Sequence, residues 1–211
     1  MIHGVRHRPG FMDPKRPSGP RPQTGADKST NSGVGMQLED NFNLTKLRVL
    51  VVDDQVAVRR LLSGILSELG VGKIDEAPQG KEALAKAHDL PPDIIITDYI
   101  MNPIDGLELV RSVRSGEAEL DPYTPIIMIS GQADMGDVEK ARDAGTNEFL
   151  VKPFSAKMVV CRLNSVINHP RPYIRSENFF GPDRRRRRLK PANGRRLKPY
   201  RYEERLRKKE R

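Results

Sequence analysis

The feature that most constrains this chain is an alternation. Between Arg48 and Ile167, short apolar runs of strand length are separated by stretches whose apolar residues recur at helical spacing. The runs occupy residues 49–52, 73–77, 94–97, 126–129 and 148–151. Most are apolar throughout, as strands covered by helices on both faces must be, and the pattern predicts an α/β domain around a parallel sheet. The first helical stretch is the clearest. Val58, Leu61, Leu62, Ile65, Leu66 and Leu69 fall at i, i+3, i+4, i+7, i+8 and i+11, predicting one buried stripe that stops at Gly70. Another helix is predicted from Asp134 to Ala144 and Gly145. The last starts at Ser155, carries Val159, Leu163, Val166 and Ile167 inward, and ends before Pro170. Cys161, the single cysteine, lies on this last helix and is expected in the core. One cysteine excludes an internal disulfide and fits a reducing compartment.

In an open parallel sheet, ligands bind beyond the carboxyl ends of the strands, so the informative residues stand just after each run. Asp53 and Asp54 follow the first run, Asp98 the third, Ser130 the fourth and Lys152 the fifth. Three carboxylates, a hydroxyl and an ammonium are thus expected on one edge. Carboxylates brought together repel, and a hard cation such as magnesium offsets that cost by sharing their oxygens. With such an ion, the Asp98 carboxylate can attack a phosphoryl donor in line while Lys152 offsets charge and Ser130 donates a hydrogen bond. Each residue alone has a plainer reading. Asp53 and Asp54 suit a solvated turn, Ser130 a helix cap and Lys152 an exposed strand end, and only their combination points to chemistry. Asp105 is read as the N-cap of a helix opening at Gly106, since Leu107 and Val110 begin an apolar face there. The four histidines have no ligand spacing, and no phosphate-cradling P-loop is present.

The segments VVDDQ (51–55), TDYIMNPIDG (97–106), MISG (128–131) and FLVKPF (149–154) resemble the response-regulator receiver family of two-component signalling in order, spacing and strand placement. That resemblance implies a flavodoxin-like (βα)5 doubly wound sheet of strand order 2-1-3-4-5. It also implies a phosphoryl group received from a sensor histidine kinase or a histidine phosphotransfer protein. Carried over residue by residue, it makes Asp98 the phosphoacceptor, Asp54 a direct magnesium ligand and Asp53 a ligand usually acting through water. Ile100 becomes a ligand through its backbone carbonyl, Lys152 and Ser130 bind phosphoryl oxygens, and Phe149 takes the place of the aromatic switch that follows Ser130. The Lys152–Pro153 bond is expected to be cis. Two positions depart from the family. Its loop usually puts proline directly after the methionine, whereas here Asn102 intervenes between Met101 and Pro103, and Ile100 replaces a residue that is polar in many relatives and so cannot orient an attacking water. The reading is a signalling phosphoacceptor, not an enzyme beyond its own phosphoryl transfer and autodephosphorylation.

Composition bounds the flanks. Gly and Pro fill 11 of the first 35 positions, which predicts a disordered leader over residues 1–45, ahead of a receiver at 46–169. Residues 171–211 hold 17 Lys or Arg against 5 Asp or Glu, or +12, while residues 1–170 hold 20 against 23, or −3, so the overall charge of +9 belongs to the tail. Residues 170–211 are too few and too charged for a helix-turn-helix output domain, and are expected to be disordered or partly helical and separable from the receiver. Two functional classes follow. Either the receiver signals to a downstream protein through its own surface, or a phosphorylation-gated tail binds a polyanion, nucleic acid or an anionic surface, through Arg184, Arg185, Arg186, Arg187 and Arg188. A third use of the tail, clamping back on the receiver through Tyr173, Phe179 and Phe180, stays open. No apolar run suits a signal peptide or membrane span, so a soluble cytoplasmic protein is expected.

Overall fold

The computed structural model describes residues 43–116, 119–131, 134–183 and 195–199, the last five through their backbone only. Five parallel strands form the main sheet: β1 (Arg48–Val52), β2 (Lys73–Ala77), β3 (Ile94–Asp98), β4 (Ile126–Ser130) and β5 (Glu148–Val151). Their order is β2-β1-β3-β4-β5, the doubly wound arrangement expected. Each strand lies within one residue of the run that predicts it.

The helices are α1 (Val56–Glu68), α2 (Gly80–Asp89), α3 (Gly106–Ser115), α4 (Met135–Ala144) and α5 (Ala156–Asn168). Because successive strand side chains alternate faces, the sheet builds two cores. Val49, Val51, Ile94, Ile96, Ile127 and Ile129 pack with α1 and α5, whereas Leu50, Val52, Ile95, Ile126 and Met128 pack with α2, α3 and α4. Each such side chain, once fully buried, contributes roughly 2 kcal/mol.

Local chemistry sets the helix starts. Asp105 caps α3 in a reciprocal capping box with Glu108, as its position predicts, and Asp134 and Ser155 accept backbone N–H bonds at the starts of α4 and α5. Two apolar assignments fail. Leu61 is 52% exposed, because Leu62, Ile65 and Leu66 already fill the face of α1 that meets the sheet. Cys161 is exposed too, since α5 buries Val159, Val160, Leu163, Val166 and Ile167 and position 161 points away from that stripe.

The expectation of a disordered or helical segment after Pro170 does not hold for the described part. Strands β6 (Pro172–Ser176) and β7 (Phe179–Pro182) form an antiparallel hairpin around the two residues Glu177 and Asn178, and β8 (Arg195–Pro199) pairs with the other edge of β6. Tyr173 and Phe180 pack on the receiver: Tyr173 is 1% exposed, and the rings of Tyr123 and Phe180 lie 5.0 and 5.5 Å from it. The predicted leader over residues 1–45 lies outside the described residues except for 43–45, of which Leu44 and Thr45 open a short 3-10 turn with Leu44 in the core. The Arg184–Arg188 run and the C-terminal end predicted to be partly helical also lie outside them.

Candidate functional site

The carboxyl ends of β1, β3 and β5 bring together Asp53, Asp98 and Lys152. Lys152 Nζ donates to Asp98 Oδ1 at 2.6 Å and to Asp53 Oδ2 at 2.8 Å, so one ammonium bridges two carboxylates. These carboxylates are nearly closed to solvent, at 6% and 1% exposure. Their other oxygens accept backbone amides, Asp98 Oδ2 from Ile100 at 3.1 Å and Asp53 Oδ1 from Gln55 at 2.8 Å. The chain turns sharply after β3. Gly106 sits so near that a Cβ there would stand 2.1 Å from the Asp98 carbonyl, and its amide donates to the Tyr99 carbonyl at 3.0 Å. The Asn102–Pro103 and Lys152–Pro153 bonds are both cis, the second as expected.

Burial dominates the electrostatics. It raises the Asp98 carboxyl above its ordinary range despite the opposing pull of Lys152, and nearby Asp53 adds to the rise. Burial alone would lower the Lys152 ammonium, but its bonds to Asp53 and Asp98 more than offset this and raise it.

Asp54 and Ile100 stand at the rim, both exposed, and the Asp54 carbonyl accepts from Arg59 at 3.3 Å. Among the described residues no three Asp, Glu, His or Cys side chains are close enough to form a metal cluster. Lys152 ties Asp53 and Asp98 together in the buried part of the site, while Asp54, adjacent in the chain, is exposed at its rim. The donor set still suits a hard cation. It is all oxygen, and each inner carboxylate oxygen, having accepted one hydrogen bond, keeps a further lone pair. Ser130 closes β4, is buried, and its carbonyl accepts the Lys152 amide at 2.7 Å. Phe149 is half-buried on β5, opposite Met128, against the α2–α3–α4 core.

One cluster beside the site escapes the sequence reading. Tyr99, next to Asp98, donates its hydroxyl to Asp137 Oδ1 on α4 at 3.0 Å, and Lys140 reaches the same oxygen at 3.0 Å. The Asp137 carboxyl is held below its ordinary range by Lys140 and then by Tyr99. Its signal was the position of Asp137 in the first turn of a helix, where an acid ordinarily serves the backbone.

Fold and site together define a class, and the comparisons agree with it. The family described as "Response regulator receiver domain" matches residues 49–164, and the chain belongs to it. Among curated proteins, the chain is 38% identical over 128 residues to the transcriptional regulatory protein ResD of Bacillus subtilis, a match covering 61% of this chain and 50% of that protein. It is 35% identical over 119 residues to the chemotaxis protein CheY of Thermotoga maritima, covering 56% and 96%. The chain thus spans about half of the first relative and nearly all of the second. Among solved structures, Vibrio cholerae CheY4 matches with a TM-score of 0.53 at 32% identity, over 57% of this chain and 98% of that one. The receiver domain of the Arabidopsis thaliana histidine kinase CKI1, complexed with Mg2+ and BeF3-, matches at 0.51 and 32% identity, covering 58% and 91%. All these matches cover the receiver only in part of the chain. No helix among the described residues is long and apolar enough to cross a membrane.

Proposed function

We propose that this receiver takes a phosphoryl group onto Asp98 from the phosphohistidine of a sensor histidine kinase or a histidine phosphotransfer protein. The observation that carries this reading is the single ammonium of Lys152 shared between Asp98 and Asp53 at the carboxyl edge of the sheet. A carboxylate oxygen of Asp98 attacks phosphorus, the P–N bond of the donor breaks, and the imidazole leaves with the electron pair, so an acyl phosphate replaces a phosphoramidate. Lys152 is within reach of the oxygens that gain charge, and the Ser130 hydroxyl donates to the same group. Asp53, Asp54, Asp98 and the Ile100 carbonyl would hold magnesium, as a related receiver complexed with Mg2+ and BeF3- suggests. Bound there, the ion supplies charge neutralisation for the transferred group.

Phe149 serves as the switch that reports the state of Ser130 to the surface. The output is a change of that surface, read by a downstream protein. The experiment is incubation of the full chain with a small phosphodonor and magnesium, followed by intact mass measurement. One phosphoryl group should add to the parent protein and none to Asp98→Asn, and an adduct of equal yield in the variant contradicts the assignment.

A further inference from the structure

Helices α3 and α4 both start beside the proposed phosphorylation site and both end beneath the C-terminal hairpin. At the near end, Gly106 opens α3 against the Asp98 carbonyl, and Asp137 in the first turn of α4 accepts from Tyr99. At the far end the contacts are as close. Arg114, in the last turn of α3, is 5% exposed and donates to the carbonyls of Gly145, Pro122 and Thr124 and to Asn147 Oδ1, at 2.7–3.0 Å. Asn147 in turn donates to the Tyr173 hydroxyl at 3.1 Å, and that hydroxyl donates to the Tyr123 carbonyl at 3.0 Å. The Arg114 guanidinium lies 5.5 Å from the Tyr173 ring centroid.

The backbone of β7 touches the end of α4 directly. A Cβ on Gly181 would stand 2.9 Å from the Gly145 Cα, and one on Gly145 would stand 3.0 Å from the Phe180 carbonyl. The two backbones therefore meet directly, with no room for a side chain at Gly181 and little at Gly145. A shift of either helix by a few tenths of an ångström at its far end must loosen these contacts, because packed interfaces of this kind do not deform continuously.

We propose that the hairpin, residues 172–183, is a regulatory clamp on the α3–α4 pair: seating it biases the Asp98 site, and occupying that site biases the seating. The proposal rests on the reading of Asp98 as the phosphoacceptor. Reciprocity is a thermodynamic requirement once the two sites are coupled, so either direction can be measured. The hairpin is closed at its open end by the Asp183 amide, which donates to the Pro172 carbonyl at 2.7 Å.

The test uses the full chain, with beryllofluoride and magnesium as the probe of the Asp98 site and amide hydrogen exchange as the probe of the hairpin. Binding of the probe should change exchange at Gly181 and Asp183 in the parent protein. Gly181→Val, which obstructs Gly145, should shift the apparent affinity for the probe by about fivefold or more. Tyr173→Phe, which removes one hydroxyl and keeps the ring, should shift it in the same direction by less, and serves if the valine variant does not fold. If hairpin exchange rises in a folded variant while probe affinity stays within about twofold, the clamp is refuted, since coupling of the usual size is excluded. If the parent protein does not bind the probe at all, the reading of the Asp98 site fails first, and the clamp falls with it.

Discussion

At the carboxyl ends of the strands two buried carboxylates share one ammonium, whereas at the amino ends a buried guanidinium donates to three carbonyls and one amide oxygen, all of them neutral. The first arrangement changes its charge balance when a proton or a phosphoryl group arrives. The second has nothing to titrate near neutral pH, because an arginine stays charged there even where burial lowers its pKa. The shared ammonium thus stands at one pole of the sheet and the Arg114 network at the other, and α3 and α4 run between them.

This contrast can be broken most forcefully at the neutral pole. Arg114→Ala removes four hydrogen bonds at once, three of them to backbone carbonyls, and should cost about 4 kcal/mol, read as a lower urea midpoint at any pH from acid to neutral. A loss below about 1 kcal/mol means that water replaces the guanidinium easily and the pole is not a scaffold. At the charged pole, Lys152→Ala leaves Asp53 and Asp98 facing each other without their cation. It should cost about 3 kcal/mol near neutral pH, and the deficit should shrink as the pH falls and the carboxylates take up protons. A deficit that is the same at both pH values contradicts the charge account.

A smaller effect sharpens the comparison. Burial raises the Asp98 carboxyl above its ordinary value of 3.8, so the folded chain holds that proton more tightly than the unfolded chain does. The folded state is therefore favoured at low pH, and stability is lost as the pH rises through the raised value. Asp98→Asn removes this loss, so the variant should melt higher than the parent near neutral pH and lose the advantage below pH 3.8. Equal melting temperatures across the range would show that Lys152 fully compensates the burial. The smallest effect concerns lifetime. Ile100 is 55% exposed at the rim and its apolar side chain cannot position a water, so Ile100→Asn should speed decay of the phosphorylated form by about threefold or more. An unchanged or slower decay contradicts that role.

The charged pole was legible in the sequence and the neutral pole was not, for a physical reason. Asp53, Asp98 and Lys152 each stand at a fixed place relative to an apolar run, and strand order alone brings them to one edge. The Tyr99–Asp137–Lys140 cluster beside them escaped, because Asp137 reads as a first-turn helix acid that serves the backbone. The far pole depends instead on contacts between distant segments. Arg114 reads as a solvent-facing charge on an amphipathic helix, although its spacing of seven from Leu107 and four from Val110 placed it on the buried stripe. The hairpin had a readable trace as well: Tyr173 and Ile174, then Glu177 and Asn178, then Phe179 and Phe180, an aromatic and β-branched pair of runs about a two-residue turn. The charge of +12 around it masked that pattern. Leu61 and Cys161 fail for the opposite cause, since a helical repeat marks a stripe wider than the surface it meets.

The most direct test of the central claim is to trap the acyl phosphate on the full chain and map it. Borohydride reduction after treatment with a small phosphodonor and magnesium converts a phosphorylated aspartate to homoserine, which peptide mass spectrometry locates. The account predicts conversion at Asp98 alone, dependent on magnesium. Conversion at Asp53 or Asp54, or at Asp98 to the same extent when magnesium is chelated, would contradict it.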